Sequence, residues 1–381
     1  MGAPAYVFPT IPSSGLLPLQ GPNGQVSPRV RPLAQVVPYI YAYNLTVQQQ
    51  LGKTTNLSIA YVGNMGRHGF VGDGPNYNVN QPFANGFRPL QNKFTYPGYI
   101  DPVTGGVLTC CNQDIGNYFG NNANSSYNAL QAVLTKQFSG GLQFITHFTW
   151  SKSLHYDSNY FADVPAVAYG NYDQNRPLVW VFNAVYQLPF GKGKQFAGNA
   201  SGALNYIIGG WTITDTTNWS SGLPWTAALN NCGSEINSEA PCRPNKGVGT
   251  FAYGVQGFDP VNHLVRYFTP TTVGGVWLDP GAGQIGNAGF DQLYGPRIFT
   301  TDMYIQKDFR LTERFDLKFQ MDAFNIFNHV ALNFSNTQSG GGTCVASSPV
   351  TGNCGSNNGT INDIAYGTTM RQLQFGLHLF F

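Results

Sequence analysis

The last ten residues of the chain read Gln372-Leu-Gln-Phe-Gly-Leu-His-Leu-Phe-Phe381, and polar and apolar side chains alternate as far as Leu379. Every second position holds a large apolar residue: Leu373, Phe375, Leu377, Leu379 and Phe381. The intervening positions from 372 to 378 hold glutamine, glycine or histidine. Because successive side chains of a strand point to opposite faces, this pattern predicts a β-strand with one apolar and one polar face.

The same alternation recurs throughout the chain. In the stretch 314–328, apolar residues from Phe315 to Ala323 alternate with Asp316, Lys318 and other polar residues. The pattern is weaker in 209–219, where Asp215 falls on the apolar face. Period-two patterning predicts nine strands. They lie at 39–49, 56–64, 127–138, 142–152, 178–188, 209–219, 298–309, 314–328 and 370–381.

The connections between these strands alternate in length. Short or medium links follow the first, third, fifth and seventh strands, whereas long ones span 65–126, 152–177, 220–297 and 329–369. Compact soluble domains rarely carry loops beyond about 12–15 residues without structure of their own. Outer-membrane barrels have short periplasmic turns and long extracellular loops. We therefore predict an all-β fold, an antiparallel transmembrane β-barrel fragment in the bacterial outer membrane.

Composition agrees with this prediction. Charged residues make up 10% of the chain, against roughly 25% in an average soluble domain. Aromatic residues reach 14%, which suits strands, and 46 Gly with 24 Pro suit turn-rich loops. The net charge of +2 at pH 7 gives no reason to expect a nucleic acid partner. No apolar run approaches the ~18 residues of a membrane-spanning helix.

We find no pattern typical of an enzyme, a metal site or a cofactor site. Gly52-Lys53-Thr54 resembles the end of a phosphate-binding loop, but Val47 stands where that motif requires glycine. The six histidines lack metal-ligand spacing, and no Ser-His-Asp or Cys-His arrangement is apparent. We therefore expect a protein that is not an enzyme and needs no cofactor.

Five sequence motifs, in order, resemble a known family. They begin with Pro38-Tyr-Ile-Tyr-Ala-Tyr-Asn-Leu-Thr-Val-Gln48, Tyr127-Asn-Ala-Leu-Gln131 and Phe148-Thr-Trp-Ser-Lys152. Tyr186-Gln-Leu-Pro-Phe-Gly-Lys-Gly-Lys194 and Ala323-Phe-Asn-Ile-Phe-Asn-His329 follow. Together they resemble the C-terminal barrel of Oar-like TonB-dependent receptors, which carry a carboxypeptidase-regulatory-like domain. The resemblance covers most of residues 36–381.

The resemblance implies a plug, a TonB-contacting box and further strands, none of which we recognise in this sequence. Such receptors have a plug, a TonB-contacting box and about 22 strands. We therefore expect residues 39–381 to be the C-terminal portion of a barrel and the proline-rich residues 1–38 to be the remnant of an extracellular loop. Nine strands would leave two open edges, so we expect either a curved, open sheet or a strained closure with a poor seam. Coupling to the TonB complex would require the missing N-terminal part.

The alternation predicts which side chains contact outer-membrane lipid. They include Leu130, Leu134, Leu317, Phe319, Leu373, Phe375 and Leu377. Phe381 closes an alternating strand and resembles the terminal signal read by the barrel-insertion machinery, together with Leu379, Leu377 and Phe375. Deleting Phe381 is expected to lower membrane assembly, and unchanged surface levels would contradict this role.

Two cysteine pairs share a ten-residue offset, Cys232 with Cys242 and Cys344 with Cys354. Their spacing favours two small loop-closing disulfides over free thiols, and such bridges persist in an oxidising compartment. Free thiols detected by mass spectrometry in the exported protein would contradict this pairing. The neighbours Cys110 and Cys111 stay unassigned.

The predicted function is uptake of a bulky nutrient by an outer-membrane receptor barrel, with an unknown extracellular substrate captured by the loops. The alternative is a secreted or surface-anchored β-rich adhesin or glycan-binding protein. The two differ in their need for detergent, because a barrel with an apolar outer band does not stay soluble without it.

Overall fold

The computed structural model describes the chain in several ranges. These are residue 34 and residues 36–71, 94–100, 107–110, 120–156, 168–229, 243–247, 253–260, 264–268, 277–278, 286–333, 343–346, 360–361, 363–364 and 368–381. Among these residues, no helix combines the length and apolar character needed to cross a membrane.

Nine long strands dominate the described part of the chain, and they correspond in order to the nine predicted ones, although β2 and β3 are longer than predicted and β8 is shorter. They are β1 (Tyr39–Gln50), β2 (Thr55–Val71), β3 (Gly120–Ser139), β4 (Leu142–Tyr156), β5 (Leu178–Gln187), β6 (Trp211–Ser220), β7 (Ile298–Arg310), β8 (Asp316–Phe324) and β9 (Gln372–Phe380). One short helix, α1 (Gly202–Ile208), lies between β5 and β6. The prediction of an all-β fold is confirmed.

Shorter strands occur in the connections. They are Phe94–Ile100, Val107–Cys110, Tyr169–Asn171, Pro224–Trp225, Ala227–Leu229, Asn245–Lys246, Tyr253–Asp259, Leu264–Phe268, Trp277–Leu278, Leu293–Tyr294, Leu332–Asn333, Thr343–Ala346, Thr360–Ile361 and Asp363–Ile364. Of these, Tyr169–Asn171 joins the large sheet by pairing with the end of β4, while the others form small separate sheets.

The nine strands form one antiparallel sheet in chain order, and that sheet does not close. Within the described residues, β1 pairs only with β2, and β9 pairs only with β8. The expected open sheet with edges at the first and last strands is confirmed. Lipid cannot satisfy unpaired backbone groups. The expectation that further strands pair with these edges in a membrane stays a prediction.

The pairing register carries one apolar face across the sheet. One cross-strand row consists of Val47, Ile59, Ala132, Phe148, Trp180, Trp219 and Phe299. The residues predicted to face lipid all lie on this face: Leu130, Leu134, Leu317, Phe319, Leu373, Phe375 and Leu377. Their contact with lipid stays a prediction, but the register gives them one common surface.

Polar side chains on the apolar face bond to one another. Thr217 and Thr301 share a hydrogen bond of 3.0 Å, and the Thr217 hydroxyl lies 3.0 Å from an Asp215 carboxylate oxygen. The Trp180 indole donates to Thr146 at 2.8 Å. Because lipid offers no hydrogen-bonding groups, each of these polar groups is better placed with a partner on the same surface.

Gly63 lies under an aromatic ring on this face. Tyr43 is its direct cross-strand neighbour, and the Tyr43 hydroxyl donates to Asn128 Oδ1 at 2.9 Å, on the far side of Gly63. Tyr61 donates to the same oxygen at 2.7 Å. A side chain at position 63 would meet the Tyr43 ring, so glycine leaves the space that the ring fills.

Gly63→Ala is expected to lower the free energy of unfolding by about 1–2 kcal/mol, because the added methyl displaces the Tyr43 ring and its hydrogen bond to Asn128. Tyr43→Phe serves as the control, since it removes the hydroxyl and keeps the ring, and should cost about 1 kcal/mol. Denaturant titration of the folded protein measures both values. A Gly63→Ala variant as stable as the wild type would contradict this packing.

Candidate functional site

A cavity of about 630 Å³ lies on the polar face of the sheet, at the end where the long connections leave it. Its walls come from β2, β3, β4 and β5 and from the segment that precedes β5. Most of the lining residues carry a hydroxyl or an amide. They are Asn64, Ser125, Ser126, Tyr127, Gln131, Thr149, Ser151, Ser153, Tyr172, Gln174 and Asn175, with Arg176 and Val179 beside them.

The segment 168–177 forms one wall because it turns back along β4. Tyr169–Asn171 pairs antiparallel with Leu154–Tyr156, and the Tyr172 amide donates to Ser153 O at 3.0 Å. The Asn175 amide then closes a tight turn on Tyr172 O at 2.8 Å. Backbone pairing thereby holds the cavity wall in place.

Asn175 carries an unused donor at this wall. Its side chain is 8% exposed, and its Oδ1 accepts a hydrogen bond of 3.2 Å from the buried Ser151 hydroxyl. Its Nδ2 atom is buried without a hydrogen-bond partner. A buried amide donor costs free energy when it is left unpaired, so it is suited to a ligand acceptor or a bound water.

Arg176 is the charged residue among those that line the cavity. Its Nη1 donates to Ser221 O at 2.7 Å, which anchors the wall to the end of β6. Burial lowers the pKa of the Arg176 guanidinium from its ordinary value. The group nevertheless stays protonated at neutral pH. The cavity therefore offers hydrogen-bonding groups of both kinds and one cation.

A second layer of loop residues supports this wall from outside. Phe290 bridges to Gly170, and Asn171 Nδ2 donates to Asp291 O at 2.5 Å. The Asp291 carboxylate accepts from Thr226 at 2.8 Å, and the Arg243 guanidinium lies 5.4 Å from the centre of the Phe290 ring. Phe290, Asp291 and Arg243 are each at most 3% exposed, so this layer is a packed core.

The residues of this cavity are not among the site residues predicted from the sequence. Its polar-face residues on β3 and β4, such as Gln131 and Thr149, follow from alternation, which assigns a face but not a cavity. Asn175 and Arg176 lie in a connection with no periodic pattern. Their positions depend on the pairing of Tyr169–Asn171 with β4, which no local signal predicts.

The residues selected from the sequence lie elsewhere. Phe381 is almost fully exposed at the end of β9, and Leu379, Leu377 and Phe375 lie on the apolar face of that strand. Cys232, Cys242 and Cys354 lie outside the described residues. The side chain of Cys344 does too, although its backbone lies in Thr343–Ala346. The assembly signal and the disulfides stay predictions. Within the described ranges, no group of three potential metal-ligating side chains occurs.

Comparison with known proteins identifies the class. Residues 2–374 match the family described as the outer membrane beta barrel domain, and the chain belongs to that family. It is accordingly a protein of the bacterial outer membrane. Among curated proteins, none matches the chain.

One solved structure that matches is the outer membrane transporter YddB from Escherichia coli. The identity is 10% and the TM-score 0.38 over 93% of this chain and 34% of the transporter. The chain thus spans about a third of that protein's length.

Proposed function

We propose that this chain forms part of the wall of a TonB-dependent outer-membrane receptor that takes up a bulky nutrient. The observation that carries the proposal is the cavity of about 630 Å³ on the polar face, lined by hydroxyls, amides and Arg176. In a membrane barrel the polar face lines the lumen, so this cavity lies on the route of a solute.

The position and chemistry of the cavity support capture of a ligand. It lies at the end of the sheet that carries the long connections, which is the extracellular end of outer-membrane barrels. Neutral hydrogen-bonding groups bind polar ligands without a large desolvation cost, and the buried Asn175 amide adds a donor without a partner. Energy coupling would come from TonB through an N-terminal plug, as the family resemblance implies.

Assembly and partners follow from the same proposal. The apolar face would contact outer-membrane lipid, and the insertion machinery would recognise β9 through Phe381. The alternative, a secreted adhesin or glycan-binding protein, has no use for an apolar face that crosses nine strands. Membership of an outer-membrane barrel family also disfavours it.

Uptake in the native host tests the proposal. Labelled oligosaccharides, peptides and metal chelates too large for porins would be offered to cells with and without the full-length gene. We expect uptake of one class to fall to background when the gene or TonB is removed. Uptake of every class unchanged in the deletion strain, or uptake independent of TonB, would contradict it.

Asn175→Leu is expected to lower uptake of the transported class about tenfold, because it removes the buried donor while keeping the branched shape of the side chain. Asn218→Leu is the matched control, since Asn218 is an exposed amide on the polar face of β6 and does not line the cavity. Initial uptake rates at low ligand concentration measure the difference. If the two substitutions lower uptake equally, the cavity does not lie on the path of the transported ligand.

A further inference from the structure

The link between β5 and β6 differs from the other connections at its end of the sheet. The neighbouring turns are only a few residues long, whereas this link covers 188–210 and is folded. The Phe196 amide donates to Pro189 O at 2.9 Å, and the Gly191 amide donates back to Phe196 O at 3.0 Å. Gly191 and Gly193 have φ values of +109° and +72°, which favour glycine. The first part of the link is therefore a small closed loop.

The loop packs against helix α1 to form one unit, which we call the rim unit (residues 189–209). Asn205 joins the two parts, because its Oδ1 accepts from the Lys192 amide of the loop at 2.7 Å. Its backbone oxygen accepts from the Gly209 amide at 2.9 Å and closes the end of the helix. A side chain at Gly191 would approach Gly209 Cα and Asn205 Oδ1 to 2.8 Å. The rim unit is thus held by backbone contacts that exclude larger residues.

The rim unit is attached to the apolar face of the sheet. The Trp211 indole, on that face, donates to Ile207 O at 2.8 Å. The Lys307 ammonium donates to Gly209 O and lies 4.9 Å and 4.8 Å from the ring centres of Trp211 and Phe309. These three residues share the apolar face. The Tyr206 hydroxyl adds a bond of 2.7 Å to Arg310 O.

The exposed surface of the rim unit is apolar and basic. Ile207 is 66% exposed, and Leu204, Tyr206, Phe190 and Phe196 are each between 42% and 53% exposed. Lys192 and Lys194 are exposed as well, and residues 188–210 contain no acidic residue. A protein surface in water rarely concentrates so many large apolar side chains in one short segment.

We propose that the rim unit is an interfacial anchor for anionic phospholipid in the periplasmic leaflet of the outer membrane. The apolar side chains extend the apolar face of the barrel into the headgroup region, and Lys192 and Lys194 bind phosphate groups. Amphipathic segments with lysine beside aromatic and aliphatic residues lie in this way at bilayer interfaces. Continuity with the apolar face and the absence of acidic residues favour lipid over a protein partner.

Photocrosslinking tests the apolar contact. The full-length protein would carry a benzophenone amino acid at position 207, or at position 187 as a control, and would be folded into phosphatidylethanolamine–phosphatidylglycerol vesicles. Gln187 is exposed on the polar face at the same end of β5. We expect lipid adducts at 207 and none at 187. Equal lipid labelling at both positions would overturn the proposal. Crosslinking in cells that joins position 207 only to protein, and not to lipid, would overturn it as well.

Lysine substitution tests the headgroup contact. For the wild type, we expect faster insertion into vesicles containing phosphatidylglycerol than into phosphatidylcholine vesicles. Lys192→Ala with Lys194→Ala should reduce that preference by about fivefold per lysine. Lys53→Ala, an exposed lysine in another turn at the same end, is the control. Heat-modifiable gel mobility confirms that each variant folds. An unchanged preference for phosphatidylglycerol in the double variant would overturn the proposal. This outcome is independent of the transport function, since it would count against the lipid anchor even if the variant took up its ligand normally.

Discussion

Leu377→Arg is expected to lower the free energy of unfolding in lipid vesicles by about 2–4 kcal/mol, the range for a cation near the middle of the lipid face. Leu377 is 68% exposed on the apolar face and lies close to the middle of β9. Its cross-strand neighbour Phe319 gives a guanidinium no hydrogen-bond acceptor. The cost therefore arises from transferring a charged group into hydrocarbon.

The control for this variant is Gln374→Arg on the polar face of the same strand. Gln374 pairs with Asp322, so the new cation would lie beside a carboxylate, and we expect a change within about 0.5 kcal/mol. Denaturant titration of the full-length protein in vesicles measures both variants. If the two substitutions cost the same, the assignment of the two faces is wrong.

Asn325→Ala is expected to cost about 3 kcal/mol of unfolding free energy, because this buried residue holds the end of β8 against its neighbours. Asn325 is 5% exposed, and its Nδ2 donates to His329 O at 3.0 Å and Thr369 O at 2.8 Å. Its Oδ1 accepts from the His329 amide at 3.0 Å. The loss combines three hydrogen bonds with the strain of alanine at φ +48°.

Asn325→Gly separates the two contributions. Glycine adopts positive φ without strain but makes no side-chain hydrogen bond, so it should recover about 1 kcal/mol relative to alanine. Thermal and denaturant unfolding of the three proteins measures the differences. A stable Asn325→Ala variant would contradict the role of this network. If the glycine variant is no more stable than the alanine variant, the whole loss of stability comes from the hydrogen bonds.

Local alternation was enough to predict the sheet, but not where its strands end. β2 and β3 continue to Val71 and from Gly120, beyond the predicted limits of 64 and 127. The added residues, such as Gly66 opposite Ser125, show no apolar alternation. They are strand residues because β2 and β3 pair with each other there. β8 ends at Phe324 because Asn325 takes a left-handed conformation, which the apolar pattern through Phe327 does not show.

The sequence by itself determined the fold class, the nine strands and the two faces, because side-chain direction in a strand depends only on position along the chain. The tertiary structure alone decided where the cavity and the rim unit lie. Asn175 reaches Ser151 because 169–171 pairs with the end of β4, and Ile207 meets Trp211 because α1 packs across the end of β6. Such contacts join segments without periodic patterns, so only the folded chain brings them together.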